Sequence, residues 1–226
     1  MKIIKNIIKY LNGLIVGFVV GFKLTKENTF YLSRIIGDIK RNSILFEKSV
    51  IEKSNFRIVG SSNVVSCFNS LVSCCEINIK GVGNELIIHD GVKLRKGIVH
   101  LRGNNCKIEI HSNTTFGGVR IVNVGEKNSV IIKENCLFSD EIEIWASDTH
   151  RIFNSYGEII NKEKSIAVEE NVWVGSRVTI LKGVTLGKGC IIGMGSVVSK
   201  NTNPKTINVG NPCKQVKQDI SWELEY

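Results

Sequence analysis

From residue 168 the chain repeats every six residues without interruption: VEENVW, VGSRVT, ILKGVT, LGKGCI, IGMGSV, VSKNTN. The first slot of each hexad is aliphatic (Val168, Val174, Ile180, Leu186, Ile192, Val198), and the fifth is compact (Val172, Val178, Val184, Cys190, Ser196, Thr202). The register extends upstream through Ile132, Phe138 and Ile144. No helix can use this period, because 3.6 residues per turn scatters every sixth side chain around the circumference, and a flat half-buried strand needs a period of two. A triangular coil can. Three hexads, about 18 residues, make one turn of a parallel β-helix, each supplying a short strand, an inward aliphatic residue and a corner. Gly175, Gly187 and Gly193 follow the inward residue, where a side chain would crowd the bend. The fold class expected is all-β, a parallel β-helix.

Further upstream the period lengthens. Ile88, Ile110 and Ile132 are 22 apart, as are Leu94, Phe116 and Phe138. Gly81, Gly103 and Gly125 share that spacing and place the extra residues of each coil at one glycine-rich corner, where a bulge needs permissive backbone. Before residue 75 the repeat fades. The chain of 226 residues, with 21 Gly, 2 Pro and 7% aromatics, therefore divides into three parts: a basic, partly apolar and helical N-terminal segment over 1–60, a β-helix over 61–204, and a C-terminal cap over 205–226.

The formal charge is +9, and residues 1–60 hold 11 Lys and Arg against 4 Asp and Glu, so this third supplies +7 of it. Residues 10–22, YLNGLIVGFVVGF, carry no charge and follow Lys2, Lys5 and Lys9. The stretch is shorter than the ~20 residues of a spanning helix and shows no small-residue cleavage site. Residues 1–24 are thus expected to form an interfacial helix, with Gly13, Gly17 and Gly21 on one face, or to pack on the protein itself. Cations gathered there, away from the folded remainder, argue against a nucleic-acid reader. The 7 Cys are odd in number, form no C-x-x-C and partner no His at zinc spacing. They predict a reduced cytoplasmic home, thiols that are small buried hydrophobes or inert surface groups, and no metal.

The register breaks after Ile144. His150 would fill the next inward slot, but His150, Tyr156 and Lys162 make a poor core, so a loop over 150–167 is expected to leave the prism. His89 and His111 follow Ile88 and Ile110 as an outward pair on neighbouring coils, whereas His100, aligned with Val122 and Ile144, is expected in the core.

The run VEENVWVGSRVTILKGVTLGKGCIIGMGSVVSK followed by VGNPCKQVK resembles the hexapeptide-repeat acyltransferases, and among them the O-acetyltransferases of sugars and of capsule or exopolysaccharide clusters. The likeness spans about 130 residues, from Ile88 to Lys217. It implies a left-handed β-helix, a homotrimer, acetyl-CoA as acyl donor and a saccharide acceptor, lipid-linked or polymeric, met at the inner face of the cytoplasmic membrane. By residue-wise matching it implies His150 as general base and Trp173 near the thioester, its indole N–H available as a donor, while Asp148, two residues before His150, is expected either to orient the ring or to stand as a solvated corner carboxylate. It places the cofactor along Ser176, Met194, Ser199 and Lys200, with Lys214 and Lys217 facing its phosphates. Met194 departs from the usual small residue of that glycine pair. Direct transfer needs no covalent nucleophile. N-acyltransfer to an amino or nucleotide sugar is the rival enzymatic reading, and no G-x-G-x-x-G follows a strand in residues 1–75 to support it. A silent β-helix scaffold is the non-enzymatic one.

Overall fold

The computed structural model describes residues 22–24 and 27–223. Three parallel sheets run the length of the described residues, one strand from each per turn, so that they form a triangular solenoid of eight coils. This all-β architecture is the expected one and is consistent with a left-handed β-helix. The first face runs from Phe22–Leu24 to Thr185–Leu186, the second from Thr29–Tyr31 to Ile191–Ile192, and the third from Arg34–Gly37 to Val197–Val198.

The hexad slots fill the core as read. Val168, Val174, Ile180, Leu186, Ile192 and Val198 are buried, and so are Ile132, Phe138 and Ile144 above them. Successive layers are hydrogen-bonded in register, and each inward side chain packs on its counterpart, as where the Phe116 and Phe138 rings stack with centroids 4.5 Å apart. Each such aliphatic or aromatic burial stabilises by about 1.5–3 kcal/mol, and the repeat multiplies it coil by coil. Cys67, Cys75, Cys106, Cys136 and Cys190 belong to this core, as predicted.

The 22-residue coils carry their extra length on the third face, whose strands reach seven or eight residues (Asn55–Ser61, Glu76–Val82, Gly97–Asn104, Val119–Glu126). Gly81, Gly103 and Gly125 pair directly across these strands, all at positive φ. A Cβ on Gly103 would lie 1.7 Å from the Gly125 carbonyl oxygen, so the stack admits no side chain.

Three expectations need correction. Residues 22–24 and 27–60 are not a helical appendage: they belong to the first two coils, and their only helical residues are the single 3₁₀ turn Ile39–Arg41. Residue 61 is thus no boundary, and the expected helix within 1–24 lies almost wholly outside the described residues. Nor is 205–226 a separate cap at its start, since Thr206–Val209 pairs parallel with Ile191–Ile192 before Lys214–Gln218 folds back antiparallel. His100, finally, sits on the outer side of the third face, with Asn78 and Val122 as register partners and Trp145 beyond Val122. An additional residue at the corner before Ile142 makes Val119 pair with Ile142, which moves the register by one. Burial, then Arg102 and Arg120, lower the His100 pKa, and its Nδ1 has no hydrogen-bond partner. Among the described residues no helix is long and apolar enough to cross a membrane.

Candidate functional site

The third-face strand Ile142–Trp145 ends where the hexads failed, and the chain does not rejoin the first face until Ile166–Val168. The intervening loop leaves from the edge between the third and first faces. Its middle folds as a small hairpin: Phe153 bridges Ile159, and the Ile160 N–H donates to the Ile152 carbonyl at 2.9 Å. Asn154 closes the tip by accepting the N–H groups of Tyr156 and Glu158. Phe153, Tyr156 and Ile160 are exposed, Tyr156 by 87%.

His150 lies exposed at the root of this loop. Its backbone is held on both sides. The His150 N–H donates to the Asp148 carbonyl at 2.7 Å, and its own carbonyl accepts from Asn161 Nδ2 at 2.7 Å. The same Asn161 amide nitrogen donates to Asp148 Oδ2 at 2.8 Å, while Asn161 Oδ1 accepts the Ile152 N–H at 2.7 Å. Lys182, from the next coil, completes the group: its Nζ reaches Asp148 Oδ2 at 2.5 Å and the Asn161 carbonyl at 2.9 Å. The Lys182 ammonium, with Asn161 behind it, holds the Asp148 carboxyl below the usual carboxylate range. Asp148 is therefore engaged by Lys182 and Asn161 through its carboxylate and by the His150 N–H through its backbone carbonyl.

Trp173 occupies the outer side of the second face, between the buried Val172 and Val174. Trp222 from the C-terminal tail packs against it with centroids 5.9 Å apart and donates its indole N–H to the Asn171 carbonyl at 2.8 Å. In a triangular prism the second face lies opposite the edge that carries His150. Within this chain His150 and Trp173 thus stand on opposite sides of the prism.

The remaining candidates sort the same way. Ser199 and Lys200 follow the third-face strand Val197–Val198 and lie exposed on the His150 edge, two coils beyond the loop. Ser176 and Met194 stand on the opposite edge, between the second and third faces, where the Arg177 guanidinium approaches Met194 Sδ at 3.5 Å. Lys214 and Lys217 are exposed on the terminal strand of the second face. Exposed ammonium groups on the His150 edge and on the terminal strand suit a phosphate partner, and no buried charge has to be created to bind one. Sequence reasoning missed Asn161, Lys182 and Trp222.

His89 and His111 do form the outward pair, their rings stacked at 4.9 Å. Glu109 lies beside both, and its Oε2 is paired with the Lys107 ammonium at 2.9 Å.

Residues 166–200 match the bacterial transferase hexapeptide (six repeats) family. The chain is 31% identical over 129 residues to a polysialic acid O-acetyltransferase of Neisseria meningitidis, covering 56% of this chain and 59% of that protein. It is 39% identical over 137 residues to a polysialic acid O-acetyltransferase of Escherichia coli O1:K1 / APEC, covering 60% of this chain and 43% of that protein. The chain thus spans less than two thirds of the curated relatives it matches. The solved structure of the polysialic acid O-acetyltransferase OatWY superposes with a TM-score of 0.78 at 29% identity, covering 87% of this chain and 92% of that one.

Proposed function

We propose that this chain, a hexapeptide-repeat protein through residues 166–200, is an O-acetyltransferase that moves an acetyl group from acetyl-CoA to a saccharide hydroxyl. The observation that carries the reading is the interruption of the solenoid after Trp145, which presents one histidine on a hydrogen-bonded loop at the root of an open edge. A sugar hydroxyl is too weakly acidic to attack a thioester unaided. His150 removes its proton as the oxygen attacks the carbonyl, and returns it to the departing thiolate of coenzyme A. Both substrates bind together, so no acyl-enzyme intermediate is required.

A homotrimer completes the site. With three copies around an axis parallel to the prisms, the His150 edge of one protomer meets the second face of the next, bringing Trp173 to the thioester and Ser199 and Lys200 opposite Ser176 and Met194. Lys214 and Lys217 then serve the phosphates of the donor. Support for an acidic polymer as acceptor comes from the relatives, which are named for polysialic acid, and from the outer side of the third face. There Arg34, Arg57, Lys80, Arg102 and Arg120 stand on five consecutive strands, one cation per coil. The uncharged stretch after Lys9 favours a location at the inner face of the cytoplasmic membrane.

Thiol release from acetyl-CoA, measured against neutral and acidic polysaccharides, tests the reading. Wild type is expected to turn over with an acidic polymer, and His150→Ala to lose about 10²-fold or more in kcat with acetyl-CoA affinity nearly unchanged. Normal turnover by the variant would remove His150 as the base.

A further inference from the structure

We infer that Asn161 and Lys182 are positioning residues for His150, forming a polar clasp that fixes the general base from a neighbouring coil. The inference rests on the proposed role of His150 and goes beyond it by naming what holds that residue in place.

The geometry is closed on itself. Asn161 uses its amide nitrogen on two acceptors, Asp148 Oδ2 and the His150 carbonyl, and its amide oxygen on the Ile152 N–H. It therefore ties the outgoing strand of the loop to the returning one on either side of His150. Lys182 belongs to the solenoid and not to the loop, and its side chain is only 19% exposed. By binding Asp148 on the outgoing strand and the Asn161 carbonyl on the returning one, it anchors the loop root to the rigid coil below. The residue just after His150 in the clasp, Ile152, is half exposed and contributes little burial of its own. The loop's own hairpin lies beyond Ile152 and its seat on the preceding coil begins at Glu163, so these hydrogen bonds are the ones that bear on the backbone at His150 itself.

A base must sit within hydrogen-bond reach of the proton it removes, and displacement by about 1 Å can cost up to 10²-fold in rate. The clasp should therefore appear in kcat and not in donor binding. Asn161→Ala and Lys182→Met are expected to lower kcat roughly 10- to 100-fold with the KM for acetyl-CoA and the melting temperature unchanged. Lys182→Arg, which keeps a cationic donor, is expected to restore most of the rate. Independently of any acceptor, hydrogen exchange read at the Ile152 amide, which donates to Asn161 Oδ1, should be slow in wild type and fast in Asn161→Ala.

Wild-type kcat in Asn161→Ala and Lys182→Met, alongside an inactive His150→Ala, would overturn the clasp and leave the base intact. An active His150→Ala would overturn the base itself. Equal losses in Lys182→Arg and Lys182→Met, a raised KM, or an unprotected Ile152 amide in wild type would likewise reduce Asn161 and Lys182 to structural residues.

Discussion

Asp148 shows how a single carboxylate was only half legible. Its proximity to His150 in sequence suggested an orienting partner, and His150, Tyr156 and Lys162, unfit for inward slots, fall between Ile142–Trp145 and Ile166–Val168, where the chain leaves the prism. Lys182 left no such trace: in the hexad pattern it is an ordinary corner residue, and its contact with Asp148 spans 34 positions. Long-range polar contacts have no period to read. The pairing has a pH signature. Because Lys182 lowers the Asp148 pKa, the contribution of this carboxylate is fully present above the ordinary value of about 4 and is lost only as pH falls through the lowered one. Hydrogen exchange at the Ile152 amide should therefore stay slow down to about pH 4, once the intrinsic pH dependence of exchange is removed. In Lys182→Met the protection should fail at a higher pH than in wild type, and identical profiles would show that the ion pair does not hold the loop.

At the level of the coil, the glycine column on the third face was visible in advance and the first coils were not. Gly81, Gly103 and Gly125 repeat at an unvarying 22 and end up stacked as the spacing demanded. Nearer the N-terminus the spacing slips by one: Phe22 pairs with Ile44 at 22 residues, but Ile44 with Val65 and Val65 with Leu86 at 21. That slip, added to a basic composition, hid strands whose inward residues Phe30, Phe46 and Phe56 are as buried as those downstream. The glycine column is a sharp target for substitution. Gly103→Ala introduces a methyl group against a backbone oxygen at a φ of +124°, which L-residues avoid, and should cost about 3 kcal/mol or more. Gly157→Ala, at the loop tip, meets nothing within 4 Å and serves as the control, carrying only the cost of its own positive φ. Comparable melting temperatures for the two would show that the close approach is unimportant.

For the molecule as a whole, His150 and Trp173 stand on opposite sides of one prism, so the proposed function requires a site shared between protomers. Two inactive variants should therefore rescue each other. If the site is built across a protomer boundary, refolding a 1:1 mixture of His150→Ala and Trp173→Ala chains creates sites that draw an intact His150 from one chain and an intact Trp173 from the next. About a quarter of all sites are then whole, and activity should return to that fraction of wild type. Activity no higher than the mean of the two variants alone would place both residues in one chain's site.

The change from 22-residue to 18-residue coils also has a geometric outcome. A longer turn encloses a wider cross-section, so the prism narrows in girth where the loop departs, and the last wide coil is left with an overhanging ledge. The returning leg of the loop lies on that ledge: Glu163 accepts the Glu126 N–H at 3.2 Å, and Ser165 bonds the Ser129 backbone and hydroxyl. The glycine column thus ends beneath Glu163, whose carboxylate takes the place a further glycine would have held. Removing one wide coil would lower the ledge without altering its outline, whereas converting the last wide coil to 18 residues would take away the seat on which the His150 loop rests.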